Sequence, residues 1–489
     1  MLRNKNKITM LQSKDTTNIS ELNNFFTSSE KVCDTVLWII RSLKLNGKGF
    51  EFCESDRTIY GPGSVLTYLL LFPLFQLSNV RSFSQSILAR LFGGGKDVFY
   101  RLKNNEMIHW RSLHYRVTLQ LIGLAKSRSS AEPTGLKCLI ADDTDLPKTG
   151  WCIELIGRIW SHVSNGSILG FKGLFLGYHD GKSFFGLDFS LHGEKGKNEK
   201  KPYGLTPKQA KARFSKRRSN LADGAQRKFE YFQKKTDNLL LMIRTAISKG
   251  IRFDYLLVDS WFVSDELISF ILGRKIKCHL LGMAKMGKSR YDFNGLSYTA
   301  KELVEKQKRN KKTRRSRKLN VWYCSADVCY KGNCVRLFFC KTTHRGNWNV
   351  LLTTNKSLEF EEAYQIYTIR WAVEVFFKEC KGYLRLGKSQ SQDFDAQIAD
   401  TTICMMQYNI LSLAKRLLAY ESMGELFRQA GTETLELTVV EKIWDYLLEL
   451  IALIADIFEI DMEEILNKIA DDNQSIAKII KMKAALNAA

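Results

Sequence analysis

The run Cys138-Leu139-Ile140-Ala141-Asp142-Asp143-Thr144 and the run Tyr255-Leu256-Leu257-Val258-Asp259 have the same form, four mostly apolar residues ending in a carboxylate. Near-continuous apolar runs of this length read as strands covered on both faces. An Asp at the end of such a strand faces the crevice where open α/β sheets bind ligands. A lone Asp there serves as often as a turn former or helix cap, so the reading depends on what surrounds the pair. Between them, Ser167 to Leu176 and Phe184 to Leu191 alternate like strands about a turn at His179-Asp180-Gly181-Lys182. A long basic loop from Gly193 to Asn220 follows, then a helix from about Ala222 to Lys249. Beyond Asp259 the pattern predicts a helix over Asp265 to Leu272 and a strand over Ile276 to Met283. Three consecutive strands followed by alternating helices and strands predict a mixed α/β sheet of ribonuclease H type.

Outward from this centre, residues 1–130 carry apolar residues at helical spacing through Val32 to Leu43 and Leu66 to Phe92. Gly93-Gly94-Gly95 breaks that pattern, and Lys96 to Lys103 follows as a short basic helix. It reads either as the second helix of a helix-turn-helix or as part of a packing domain with a basic surface. Residues 285–359 leave the α/β pattern. They hold a basic tract, Lys306 to Lys318, and strand-like stretches Val321 to Val328, Asn333 to Lys341 and Asn347 to Thr354. This is a predicted β-rich insertion, so the catalytic domain comprises residues 131–284 and 360–430. Residues 431–489 are predicted as C-terminal helices, with an acidic amphipathic stretch from Glu433 to Asp472.

At 489 residues the chain exceeds the ~250 to 300 at which single cores stop growing. A formal charge of +23, from 74 Lys and Arg against 51 Asp and Glu, favours a polyanionic partner, nucleic acid first. The first residues lack the apolar core of a signal peptide, and the best apolar run, Val65 to Leu77, is interrupted by Pro73. These features predict a cytoplasmic protein with no membrane partner. The eleven cysteines include no CxxC pair, and Cys324, Cys329, Cys334 and Cys340 read as strand residues rather than as a metal site.

A strong helix is predicted from about Glu361 to Leu384. At about 100° per residue, Tyr367, Arg370, Glu374 and Lys381 fall on a stripe roughly 60° wide that borders the apolar face. A carboxylate pointing into a crevice belongs at such a border. Asp142, Asp259 and Glu374 then form a set of oxygen donors suited to two Mg2+ ions, with Mn2+ as a substitute, which is the apparatus of phosphodiester cleavage or transfer. Asp143 and Asp145 remain alternatives to Asp142 as the first ligand. No P-loop spacing is present around Gly93 or Gly177.

The stretch Tyr367-Thr368-Ile369-Arg370-Trp371-Ala372-Val373-Glu374, with Lys381 seven residues on, resembles the Tyr-x2-Arg-x3-Glu-x6-Lys signature of bacterial DDE insertion-sequence transposases of the family numbered four. Asp142-Asp143-Thr144 and Val258-Asp259-Ser260-Trp261-Phe262 resemble that family's first and second Asp motifs. The resemblance implies a ribonuclease H-like domain and cut-and-paste transposition through strand nicking, a hairpin intermediate and strand transfer. It implies DNA contacts near the cleaved end for Tyr367 and Arg370, and a backbone contact for Lys381. Trp348, one residue off the family's position, is the residue nearest to its base-stacking Trp. The expected partners are the inverted-repeat ends of an element and target DNA. A homodimer on DNA is expected, with the helices after Glu433 as either a protomer contact or a layer on the chain's own core. A nuclease of the same fold that cuts without joining, or a catalytically idle DNA-binding protein, are the competing readings. The basic tracts 195–218 and 306–318 are expected to grip DNA backbone.

Overall fold

In the computed structural model, the described residues are 32–43, 45, 60–86, 89, 94–128, 135–273 and 277–433. Gly93, Phe92, Ile276 and the helices expected after Glu433 lie outside them. The chain divides into two units, Met1–Leu426 and Phe427–Ala489, and in the second the described residues 427–433 are helical.

The N-terminal part is helical: α1 (Val32–Ser42), α2 (Pro62–Leu71), α3 (Lys96–Lys103) and α4 (Trp110–Ser127). α2 starts with Pro62 in its first turn, where the missing N–H costs nothing. The basic helix α3 turns Phe99 and Leu102 inward.

The sheet begins with β1 (Cys138–Pro147), β2 (Gly157–Ser161), β3 (Gly166–His179) and β4 (Phe184–His192). β3 pairs antiparallel with β1 along one edge and with β2 and then β4 along the other. A bulge at Leu176/Gly177 lets the Phe184 ring lie over Gly177, where a Cβ would stand 2.0 Å from it. Only glycine fits there. The helix expected over Ala222 to Lys249 is two helices, α5 (Asp223–Phe232) and α6 (Lys235–Ser248). Gln233 and Lys234 between them adopt extended backbone, which a continuous apolar stripe does not reveal.

β5 (Tyr255–Val258), α7 (Asp265–Leu272) and β6 (His279–Ala284) come next. β5 is parallel to β1 with Ala141 opposite Val258, and β6 is parallel to β5. The register therefore sets the next residues, Asp142 and Asp259, side by side, with neighbouring strands about 4.8 Å apart. The segment 285–359 holds β7 (Arg290–Phe293), β8 (Leu296–Thr299), α8 (Ala300–Arg309), β9 (Arg314–Ser316), β10 (Val321–Tyr330), β11 (Asn333–Lys341) and β12 (Asn349–Thr353). β12 pairs antiparallel with β6, so these strands extend the same sheet in the order β2-β3-β1-β5-β6-β12-β11-β10-β7-β8. The fold is mixed α/β on one large mixed sheet of twelve strands.

α9 (Phe360–Thr368), α10 (Trp371–Gly382) and α11 (Phe394–Leu417) complete the described helices of the first unit that bear on the site. The 24-residue α11 is buried nearly all round and packs on β4, α4 and the first helices. Its interior polar groups are satisfied. Asn409 Nδ2 donates to Gly186 O and Thr118 Oγ1, and its Oδ1 accepts from the Gly186 N–H. Leaving such groups unpaired would cost about 1 to 3 kcal/mol each. No helix among the described residues is long and apolar enough to cross a membrane.

Candidate active site

The single helix expected over Glu361 to Leu384 is broken at Ile369 and Arg370. Both keep helical backbone, but Arg370 and Val373 bond back three residues instead of four, to Tyr367 and Arg370. This tightened turn lets α9 touch β6 while α10 lies on β1 and β4. Val373, Phe376, Phe377 and Cys380 are buried, and the Phe376 ring meets Phe175, Phe184 and Tyr408 at centroid distances of 5.9, 5.4 and 4.7 Å. Tyr367, Arg370, Glu374 and Lys381 are all half-buried at the border of this apolar face.

These border residues all reach the middle of β1, the end of β5 or each other. Arg370 Nη1 donates to Asp142 Oδ2 at 2.9 Å, and Nη2 donates to Glu374 Oε1 at 2.6 Å. One guanidinium thus joins two of the three carboxylates. Lys381 Nζ donates to Thr144 Oγ1 at 2.6 Å, and Tyr367 Oη donates to Val258 O at 3.4 Å. The Asp143 N–H donates to Asp142 Oδ1 at 2.8 Å.

Strand alternation separates Asp142 from its neighbours. Asp142 and Thr144 face α10. Asp143 accepts from Lys235 at the start of α6, and Asp145 accepts from Lys172 on β3. Each alternative to Asp142 thus has a lysine of its own. The sequence reading missed Lys235 and Lys172, because nothing local to Asp142 points to positions 30 and 93 residues downstream.

Burial pushes the Asp142 carboxyl up to about 6, with Asp143 and Asp259 adding to the rise and Arg370 and the Asp143 N–H opposing it. Asp142 and Asp259 are thus close enough to repel. Burial likewise pushes the Tyr367 hydroxyl up to about 12, with Arg370 opposing and both aspartates reinforcing the shift. Burial alone would lower the pKa of Arg370, but Tyr367, Asp142 and Glu374 hold it above the ordinary arginine value. Burial lowers that of Lys381. The arrangement is a partly dry, acid-rich crevice in which one arginine screens Asp142 and Glu374.

Among the described residues, no group of three or more His, Cys, Asp or Glu side chains stands placed to hold a metal ion. The donors nonetheless suit one chemically: they are hard oxygens, Asp142 is partly desolvated, and a cation, Arg370, already bonds Asp142 and Glu374. Trp348, just before β12, has the Lys341 and Lys308 ammoniums 4.9 and 5.9 Å from its ring centroid.

The basic tract 195–218 departs from its expected role at its end. Lys216 and Arg218 point inward, to Glu154, Asp393 and Asp395, and Arg213 donates to Ile156 O. These residues are occupied within the chain. In the tract 306–318, by contrast, Lys308, Arg309, Lys311, Lys312, Arg314, Arg315 and Arg317 are exposed.

Residues 233–410 match the family model described as the transposase DDE domain. The match covers just over a third of the chain and takes in Asp259, Tyr367, Arg370, Glu374 and Lys381, with Asp142 outside it. No curated protein matches the chain. Among solved structures, the piggyBac transposase synaptic complex with hairpin DNA is similar at 14% identity, over 84% of this chain and 78% of that one, with a TM-score of 0.41.

Proposed function

We propose that this protein is a DNA transposase that moves an insertion sequence by cut-and-paste transposition, using a ribonuclease H-like core to cut DNA at the element ends and join them to a target. The observation that carries the proposal is the Arg370 guanidinium bonded to both Asp142 and Glu374, with Asp259 beside Asp142 by strand register, and with all but Asp142 inside the match to a transposase domain. The strand order β4-β3-β1-β5-β6, antiparallel and then parallel, supports the ribonuclease H-like assignment.

Two Mg2+ ions, or Mn2+ in their place, held by Asp142, Asp259 and Glu374, supply the Lewis acidity that a phosphodiester displacement needs. The chain's own residues prepare for them. Burial raises the free energy of the ionised Asp142, so a nearby positive charge is favoured over water. Arg370 provides that charge in the DNA-free protein and keeps Asp142 and Glu374 together. On DNA, Arg370 and Tyr367 contact the strand beside the cut and Lys381 takes the phosphate backbone. Trp348 stacks on a base, and the exposed lysines and arginines of 306–318 follow the duplex. The domains divide as residues 1–130 for DNA binding, 131–284 with 360–430 for catalysis, 285–359 as the β-rich insertion, and 431–489 as C-terminal helices. Paired ends require two protomers, so the working form is a homodimer on DNA.

The test is incubation of the purified protein and Mg2+ with linear DNA carrying the gene's own flanking ends. Cutting at the element boundary and joining to a second DNA establish the reaction. Cutting without joining makes the protein a nuclease, and binding without cutting makes it an idle DNA-binding protein.

A further inference from the structure

Trp261 stands two residues beyond Asp259 in the turn that closes β5. That turn is fixed by a hydrogen bond from the Phe262 N–H to Asp259 O, 3.0 Å long, and by the Phe262 side chain, which is fully buried. Carboxylate and indole are therefore carried by one rigid piece of backbone. Yet the indole is 59% exposed, a large apolar ring left in water beside the acid-rich crevice. Two ammonium groups lie over it. Lys285, just after β6, is 4.6 Å from the ring centroid, and Lys235, at the start of α6, is 5.3 Å away. Lys235 also donates to Asp143, the residue next to Asp142, and so links this ring to the β1 end of the crevice.

We propose that Trp261, flanked by Lys235 and Lys285, is a platform for one unpaired nucleobase next to the scissile phosphate, an inference that rests on the DNA-cutting function proposed above. An aromatic face attracts any base by stacking, while lysine ammoniums attract the phosphates on either side. Neither group reads base edges, so the platform tolerates any sequence. Bases inside a duplex already stack on each other, so the ligand is a base freed from the helix at a frayed or single-stranded end. Cation–π contacts in water are weaker than base stacking, so an incoming base displaces an ammonium, which is then free to move to the backbone. Trp348 differs in being half-buried and in lying in the segment 285–359, far from Asp259 in sequence.

The experiment measures binding of the full chain to three DNAs: a blunt duplex, the same duplex with a single-stranded thymine tail, and the same duplex with a tail of abasic sites. Wild type is expected to prefer the thymine tail over the abasic tail about tenfold, within the range that one stacked base provides. Trp261→Ala should erase that preference while leaving blunt-duplex binding and thermal stability unchanged, since the ring is exposed. Trp261→Phe should retain most of the preference. Lys235→Gln with Lys285→Gln should weaken binding to both tailed DNAs alike. A preference that survives Trp261→Ala, or that falls only in Trp348→Ala, overturns the platform. Equal binding of all three DNAs by wild type overturns the platform and spares the DNA-cutting function. Binding to none of them overturns both.

Discussion

Arg218 and Arg370 each sit among carboxylates, yet only one of the two sites is closed. Arg218 bonds Glu154, Asp393 and Asp395, with side-chain exposure of 2% for Arg218, Glu154 and Asp395. Lys216 and Lys228 add two cations, so four acids, counting Glu106, meet three bases. Burial works against the Glu154 carboxylate, but Arg218 and Lys228 hold it below its ordinary range. Around Arg370, two acids meet one base, Asp142 and Glu374 are 17% and 33% exposed, and burial pushes Asp142 upward. The first cluster ties the loop after β4 to the start of α11 and needs nothing more. The second holds two carboxylates on one guanidinium at a more accessible place, as expected of a site that accepts a cationic ligand.

The largest expected effect comes from opening the closed cluster. Arg218→Met leaves buried carboxylates without their partner and should destabilise the protein by about 3 to 5 kcal/mol in urea denaturation. A loss under about 1 kcal/mol would show that the cluster is not structural. The matching change, Arg370→Met, should cost less stability than Arg218→Met, because Asp142 and Glu374 are 17% and 33% exposed and their carboxylates can still reach water. Its cost should fall on DNA cleavage, by a hundredfold or more. If Arg370→Met unfolds the chain as readily as Arg218→Met, the contrast between the two clusters fails.

Asp142→Asn sharpens the comparison by sign. The folded Asp142 has a pKa of about 6 against an ordinary 3.8, so between those values the folded state binds more protons than the unfolded one. Stability contributed by Asp142 therefore falls as pH rises from about 4 to 6 and stays low above that. Without divalent metal, the Asn variant should be more stable than wild type at pH 7, by about 1 to 2 kcal/mol, with the advantage fading by pH 4. An Asn variant less stable at pH 7 would mean that the Arg370 contact outweighs the burial cost. The smallest effect on stability is expected from neutralising the exposed lysines and arginines of 306–318. Folding should not change, while the salt dependence of DNA binding should flatten in proportion to the number of phosphates the tract neutralises. An unchanged slope would remove that tract from the DNA path.

Much of this contrast was legible in the sequence wherever a residue's role follows from its own element. The apolar run before Asp259 gave β5, whereas β1 runs past Asp142 to Pro147 because its antiparallel pairing with β3 outlasts the parallel pairing with β5; the hairpin about His179 to Lys182 gave β3 and β4 nearly to their ends. The border position of Tyr367, Arg370, Glu374 and Lys381 followed from helical periodicity, and all four are half-buried. The break at Ile369 and Arg370 was not legible, because both residues keep helical dihedrals and only the hydrogen-bond spacing changes. Lys216 and Arg218 read as part of a basic loop expected to grip DNA backbone, since Glu154 lies 64 residues before Arg218 and Asp393 and Asp395 lie 175 to 179 residues after the two. Long-range charge pairing leaves no periodic trace. For the same reason Lys235 and Lys285 could not be connected to Trp261 before the strands were assembled.

The central claim, that Asp142, Asp259 and Glu374 hold the divalent ions of a DNA-cutting site, is tested most directly by changing the ligand atom. Asp259→Cys should abolish cleavage of end-bearing DNA in Mg2+, which demands oxygen ligands, and recover part of it in Mn2+, which tolerates sulfur better. Asp259→Ala should be inactive with both ions. Cleavage by Asp259→Ala in either ion, or equal activity of Asp259→Cys in both, would contradict the account.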